Sequence, residues 1–130
     1  KLEVMDRWLL SKLNNVIHKS TVEFDNYEYS KAKFETDMFF WKTFCDNYLE
    51  ISKKRLYEGD KSAKYTLHTG LKTILKLYAP IMPYITEEIY QLQFAKEEKN
   101  KYKSFRKIWK RVPLLIIKRI GPRICSELGI

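Results

Sequence analysis

Apolar residues recur along most of the chain at helical spacing, and clusters of turn-forming residues interrupt them. In the stretch Phe39 to Glu50, Trp41, Cys45 and Tyr48 fall at i, i+4 and i+7, one face of a helix. A second face carries Phe40, Phe44 and Ile51. Two apolar faces need packing on both sides, so the pattern predicts a central helix that starts from a cap at Ser30 and continues to about Tyr57. Before it, Asp6 reads as the N-cap of a first helix that carries Trp8, Leu9, Leu13, Val16 and Ile17 and ends near Thr21. From Glu23 to Tyr29 turn formers mix with the aromatics Phe24 and Tyr27, which no helical face explains, and a connection is expected there.

Gly59-Asp60 offers a left-handed stop followed by a capping carboxylate. A third helix then places Leu67, Leu71, Ile74, Leu75 and Tyr78 on one side. Its other side repeats Lys64, His68, Lys72 and Lys76 every four residues, a cationic row about 18 Å long. Ala79-Pro80-Ile81-Met82-Pro83 stops this helix, because proline donates no amide hydrogen and biases its predecessor away from helix. In a fourth helix, Thr86, Glu87 and Glu88 suit the first turn, and Ile85, Ile89 and Leu92 form the expected buried side. Ala95 to Arg111 is polar and basic without a clear period, and Pro113 to Ile117 resumes an apolar run that Gly121-Pro122 interrupts. The expected fold is all-α, an antiparallel bundle of four main helices plus a short C-terminal helical segment. Residues 1–95 form the bundle and 96–130 a basic extension.

The 130 residues suffice for one domain with a core, and an apolar fraction of 45% argues for a folded chain. The net charge of +9 is unevenly placed. Residues 1–95 carry 14 Lys/Arg against 13 Asp/Glu, and residues 96–130 carry 11 against 3. A basic extension on a near-neutral body fits nucleic-acid contact or plain solubilising charge. No apolar run reaches the ~20 residues that cross a bilayer, so a soluble, cytoplasmic chain without membrane contact is expected. Cys45 and Cys125, with only His18 and His68 beside them, do not make a metal site, and the plainer reading is two reduced thiols.

Catalytic patterns are missing from the sequence: there is no Gly-rich phosphate loop, no Gly-x-Ser-x-Gly and no His-Glu-x-x-His. Glu87 and Glu88 are adjacent and point about 100° apart on a helix, so they do not converge. Asp46 and Glu50 share a face, and their expected partners are lysines: Lys42 on one side, Lys53 or Lys54 on the other.

Four ordered motifs carry a resemblance. Asp-Arg-Trp-Leu-Leu-Ser-Lys-Leu-Asn at Asp6 to Asn14 is followed by Phe-Phe-Trp-x-x-Phe-Cys-Asp-x-Tyr-Leu-Glu at Phe39 to Glu50. Lys-Arg-Leu-Tyr at Lys54 to Tyr57 and Ala-Pro-Ile-Met-Pro-Tyr-Ile-Thr-Glu-Glu-Ile-Tyr at Ala79 to Tyr90 complete the set. Together they resemble the anticodon-binding helical domain of class I valyl-tRNA synthetases, over roughly residues 2–95. Beyond this, Ser104 to Trp109 is only a distorted version of the family's Ser-Ile-His-x-x-x-Trp-Pro segment.

The resemblance implies a helical bundle appended to a catalytic core, with that core and the anticodon arm of a tRNA, that of valine, as partners. It implies ATP as cofactor of the full-length ligase and none for this chain, whose sequence lacks the family's His-Ile-Gly-His and Lys-Met-Ser-Lys-Ser signatures. An anticodon loop presents unstacked bases, which proteins meet with aromatic rings while cations hold phosphates. On that chemistry Phe24 and Tyr27 are stacking candidates, with capping of the bundle core as the alternative. Arg7, Lys12, Lys64, Lys72 and Lys76 are candidates for backbone contacts. The signature residues Trp41, Phe44, Cys45, Asp46, Tyr48 and Glu50 are read as structural, their aromatics as packing. Three functions compete: the tRNA-binding module of a valine-tRNA ligase or a related isoleucine or leucine ligase, a generic basic RNA- or DNA-binding helical protein, and a bundle that only braces a catalytic core.

Overall fold

The computed structural model describes residues 2–94, and every regular element among them is a helix. The expected C-terminal helical segment, the basic stretch from Ala95 to Arg111, the apolar run at Pro113 to Ile117, Cys125 and the division of the chain at residue 95 lie outside the described residues. Helix α1 (Val4–Asp25) is followed by α2 (Tyr29–Met38), a π-helical segment (Phe39–Leu49) and α3 (Glu50–Tyr57), which run on without a break as one rod. Helices α4 (Lys61–Tyr78) and α5 (Pro83–Gln93) complete four antiparallel rods.

The buried stripe of α1 is Asp6, Leu9, Leu10, Leu13, Val16, Ile17 and Ser20. Asp6 belongs to it by register, and for that reason it is not the N-cap expected from the sequence. The helix begins at Val4 with Glu3 at the cap, and Asp6 points inward with no exposure. Where α1 crosses α2 the facing residues are small: Ser20 Oγ lies 3.4 Å from Thr36 Oγ1, which donates to the Ala32 carbonyl at 2.9 Å. Small side chains let the two backbones approach closely.

The central rod departs from α-helical geometry where the aromatic residues are densest. Its buried positions are Ala32, Thr36 and Phe39 in steps of four and three, then Phe44, Tyr48 and Ser52 in steps of five, four and four. An α-helical period continued from Phe39 would bring Thr43 and Asp46 to the core. The π-helix, with its i→i+5 bonding, holds more than four residues per turn and brings Phe44 and Tyr48 inward instead. Trp41 turns out to solvent as a consequence, 62% exposed, and Ile51 follows at 50%. Packing was expected of both, and the widened turn is the reason it fails. Phe44 lies on Gly70 of α4, where a Cβ would stand 2.9 Å from its ring.

Around this contact the main core collects Leu9, Leu10, Leu13, Ile17, Phe39, Phe44, Tyr48, Ile74, Leu77 and Tyr78. A smaller core of Leu75, Ala79, Tyr90 and Phe94 joins α5 to α4. Helix α5 starts at Pro83 after Met82, so Thr86, Glu87 and Glu88 lie beyond the first turn expected for them, which holds no acidic residue. Thr86 and Tyr90 are its buried residues, while Ile85 and Leu92 are 55% and 67% exposed, contrary to the expected buried side. The inward stripe is displaced by one residue from the expected one, about 100° around the helix, and of the expected residues only Ile89 packs against the smaller core.

Candidate nucleic-acid interface

At one end of the bundle α1 and α2 form a hairpin that outreaches α4. Tyr78, the last residue of α4, donates to Asp37 Oδ1 at 2.5 Å, and α2 continues past that contact for eight residues, about 12 Å, to Tyr29. This overhanging tip carries three aromatic rings in sequence. Phe24, half-buried, meets Tyr29 at 5.5 Å with the planes tilted by 52°, and Tyr29 meets Tyr27 edge-on at 6.4 Å. Tyr27 is 79% exposed and Tyr29 52%. The tip is rimmed by Glu23, Asp25 and Glu28, with Lys31 held 3.4 Å from Glu28.

The opposite end is closed by charge. The Asp6 carboxylate accepts from Tyr48 Oη at 2.8 Å, from Arg55 Nη1 and Nη2 at 3.2 and 2.7 Å, and from Ser62 Oγ. All four acceptor directions of the buried carboxylate are used. Arg55 also reaches Asp60 Oδ2 at 2.6 Å and Glu3 Oε2 at 3.2 Å, so its fork ties α1, α3 and the start of α4 together. Burial alone would raise the Asp6 carboxyl, yet the bonds from Arg55, Ser62 and Tyr48 outweigh it and hold the group below its ordinary range. Burial and the Asp6 carboxylate push the Tyr48 hydroxyl up, and the Asp6 hydrogen bond raises Arg55 further. Every group in the cluster is fixed in the ionisation state that the cluster needs. Such a network orders structure and offers no reactive group.

The cationic candidates are scattered. Lys12 is exposed in the middle of α1, and Lys64 is exposed in the first turn of α4, near the locked end. Arg7 is exposed and engages a neighbour. The row on α4 is not an open face: Lys72 and Lys76 are half-buried and engaged, and the His68 ring packs 4.9 Å from Phe94. Most other cations are spoken for by carboxylates, in the pairs Lys19–Glu35, Lys33–Asp37, Lys53–Glu50 and Lys54–Glu58. Among the described residues Lys12, Lys42, Lys61 and Lys64 have no carboxylate within ion-pairing distance, and they are spread over three elements. The structure thus joins Phe24 and Tyr27 at the tip and leaves Lys64 roughly 30 Å away, about the length of α1. Of the signature residues, Phe44 and Tyr48 are core, Cys45 is half-buried with its thiol pushed up by burial and by Asp46, and Asp46 and Glu50 are exposed. Among the described residues no group of His, Cys, Asp or Glu is placed to hold a metal, and no helix is long and apolar enough to cross a membrane.

A family profile described as the anticodon-binding domain of tRNA ligase matches residues 6–120. The chain belongs to this anticodon-binding family. Relatives are named valine–tRNA ligase: one from Wolbachia sp. subsp. Brugia malayi is 54% identical over 95 residues, which is 68% of this chain and 11% of the relative. Those from Rickettsia rickettsii and Haloarcula marismortui are each 46% identical, over 97 and 92 residues, covering 12% and 10% of their lengths. The anticodon-binding chain therefore spans about a tenth of the length of these relatives. Its family match also extends to residue 120, past the point near 95 where the sequence motifs end.

Two residues of the domain's ends carry more than the sequence suggested. Arg55 is one of only two arginines before residue 96, and Asp6 occupies a core register at i−3 and i−4 from Leu9 and Leu10. A carboxylate in an apolar stripe signals a buried counter-charge, and a planar fork serves it better than lysine. Tyr29 had no such signal, since only the fold turns its ring toward Tyr27.

Proposed function

We propose that this chain is the tRNA-binding part of a longer valine–tRNA ligase. It holds the anticodon arm of valine tRNA in the cytoplasm and leaves ATP-dependent activation of valine to a catalytic core elsewhere in the polypeptide. The observation that carries the reading is the 46–54% identity to valine–tRNA ligases over 95–97 residues, beside a family match to residues 6–120. The geometry supports a passive role. A bundle locked at one end by a saturated ionic cluster is stiff, and its aromatic tip is suited to unstacked bases. The basic balance of residues 96–130 supports phosphate contact in addition to Lys12 and Lys64.

Fluorescence anisotropy of the 130-residue chain with valine tRNA and with an unrelated tRNA, in low salt, tests the reading. A several-fold preference for valine tRNA is expected. Equal binding of both, with affinity that falls for every nucleic acid alike when the basic residues of 96–130 are neutralised, would identify a generic basic binder. Absence of any binding would refute the module outright.

A further inference from the structure

The α1–α2 tip ends in a backbone arrangement that this chain uses twice. After α1, the Glu28 amide donates to the Glu23 carbonyl at 2.8 Å and the Tyr27 amide to the Phe24 carbonyl at 3.1 Å, with Tyr27 at φ 62°. After α3, the Asp60 amide donates to the Arg55 carbonyl at 3.0 Å and the Gly59 amide to the Leu56 carbonyl at 3.2 Å, with Gly59 at φ 86°. Both are the paired-bond helix ending whose left-handed residue is ordinarily glycine. At the locked end the chain has glycine. At the tip it has tyrosine, in a conformation that costs an L side chain about 1–2 kcal/mol.

Packing does not repay that cost, because the Tyr27 ring is 79% exposed and its nearest aromatic partner, Tyr29, is itself 52% exposed. The apolar contact that usually accompanies this ending is missing at both ends, where the two positions are Glu23 and Glu28 at the tip and Arg55 and Asp60 at the locked end, but only at the locked end does an ion pair take its place. A strained, solvent-facing ring is a mark of function.

We propose, building on the tRNA reading above, that Tyr27 and Tyr29 form a stacking platform for a single unpaired nucleobase that carries an exocyclic amine. The rings supply the stacking surface, with Phe24 bracing Tyr29 from behind. Lys31 offsets Glu28, but among the described residues Glu23 and Asp25 pair with no cation and repel phosphate, so the sugar–phosphate chain passes away from them and the base enters. Carboxylates accept hydrogen bonds from the amino groups of cytosine and adenine and find no amine on uracil. The tip therefore prefers an amino-bearing base over uracil.

The test uses the 130-residue chain and stem-loop RNAs that differ at one loop position, adenine, cytosine or uracil, with 2-aminopurine substituted there for a fluorescence readout. Tyr27→Ala and Tyr29→Ala are each expected to weaken the adenine and cytosine loops about ten-fold to a hundred-fold and to abolish 2-aminopurine quenching. The salt dependence should keep its slope, because no phosphate contact is lost. Tyr29→Phe should bind as wild type, and Asp25→Asn with Glu28→Gln should narrow the gap between cytosine and uracil. Circular dichroism checks that each variant is folded. If wild type binds the stem-loops and both alanine variants match it, the platform is refuted while the tRNA reading stands. If wild type binds no RNA, both fall.

Discussion

Arg55→Met tests what holds the bundle together. The substitution keeps most of the side-chain volume and removes the one cation that touches Asp6, whose carboxylate has no exposure to water. Tyr48 and Ser62 still donate to it, but the charge is left buried without a counter-ion. Breaking a buried pair in this way costs about 3–5 kcal/mol. That is a large share of the roughly 5–15 kcal/mol that separates a folded domain from its unfolded chain. For a body of this size the melting temperature should fall by roughly 12–40 °C. Urea denaturation followed by far-UV circular dichroism measures it directly. Adding Asp6→Asn removes the orphaned charge, so the double variant should be more stable than the sum of the single losses predicts, by about 1–3 kcal/mol. A loss below about 1 kcal/mol for Arg55→Met would show a pair no better than an exposed one and refute the lock. The pH dependence has a definite sign. Asp6 titrates near 3.8 when unfolded and lower when folded, so its contribution is complete above pH 3.8 and is lost as the pH falls through the folded value. Acid unfolding should be steeper in wild type than in Asp6→Asn.

The π-helical register makes an unusual contrast: Trp41→Ala should cost under about 1 kcal/mol at a 62% exposed position, whereas Phe44→Ala, 3% exposed, should cost about 3–5 kcal/mol. Thermal melts that ranked them the other way would restore a plain α-helix. Gly70→Ala should lose about 1–2 kcal/mol despite alanine's better helix propensity, because its Cβ meets a Phe44 ring already stacked between Phe40 and Tyr48; stabilisation would show that the ring can move aside. Tyr27→Gly should gain up to about 1–2 kcal/mol by relieving the left-handed backbone, and an unchanged melting temperature would argue against strain at the tip.

The rods were legible because their apolar spacing is regular over many turns. The stop at Gly59-Asp60 was legible because glycine and a capping carboxylate each have one dominant use, and Asp60 does accept from the Ser62 amide at 2.9 Å. The face presented by each rod was harder. Phe39, Phe44 and Tyr48 do not fit a 3.6-residue period, so a helical template prefers Trp41, Cys45 and Tyr48 and misplaces tryptophan. On α5, Ile85, Ile89 and Leu92 form as good a stripe as Thr86, Tyr90 and Phe94, and only the packing of Tyr90 and Phe94 on α4 decides between them. The row of Lys64, His68, Lys72 and Lys76 was real as a pattern but its surroundings were not in the sequence, since α5 covers the same side of α4. Phe24 and Tyr27 stand out in the sequence because they fit no helical face, yet α1 runs on to Asp25 and carries Phe24 within it, and only Tyr27 lies in the connection; Tyr29 is visible only once the hairpin brings it between them.

The two helix endings give the bundle a direction. At the Gly59 end the chain accepts the low-cost residue for a left-handed turn and surrounds it with Asp60, Arg55 and Asp6, groups whose geometry is over-determined and tolerates little change. At the Tyr27 end it keeps a costly residue, surrounds it with carboxylates of which only Glu28 is paired, to Lys31, and lets two rings stand in water some 12 Å beyond the nearest end of α4. If the tip holds a base as proposed, stability and recognition are separated along the bundle. Substitutions at the tip can change which base is held without loosening the core, while changes at Asp6 or Arg55 should alter stability and leave base preference among the surviving folded molecules untouched. A base preference that moved with Arg55→Met in fully folded protein would mean that the two ends are coupled through α1, and the division of labour argued here would be wrong.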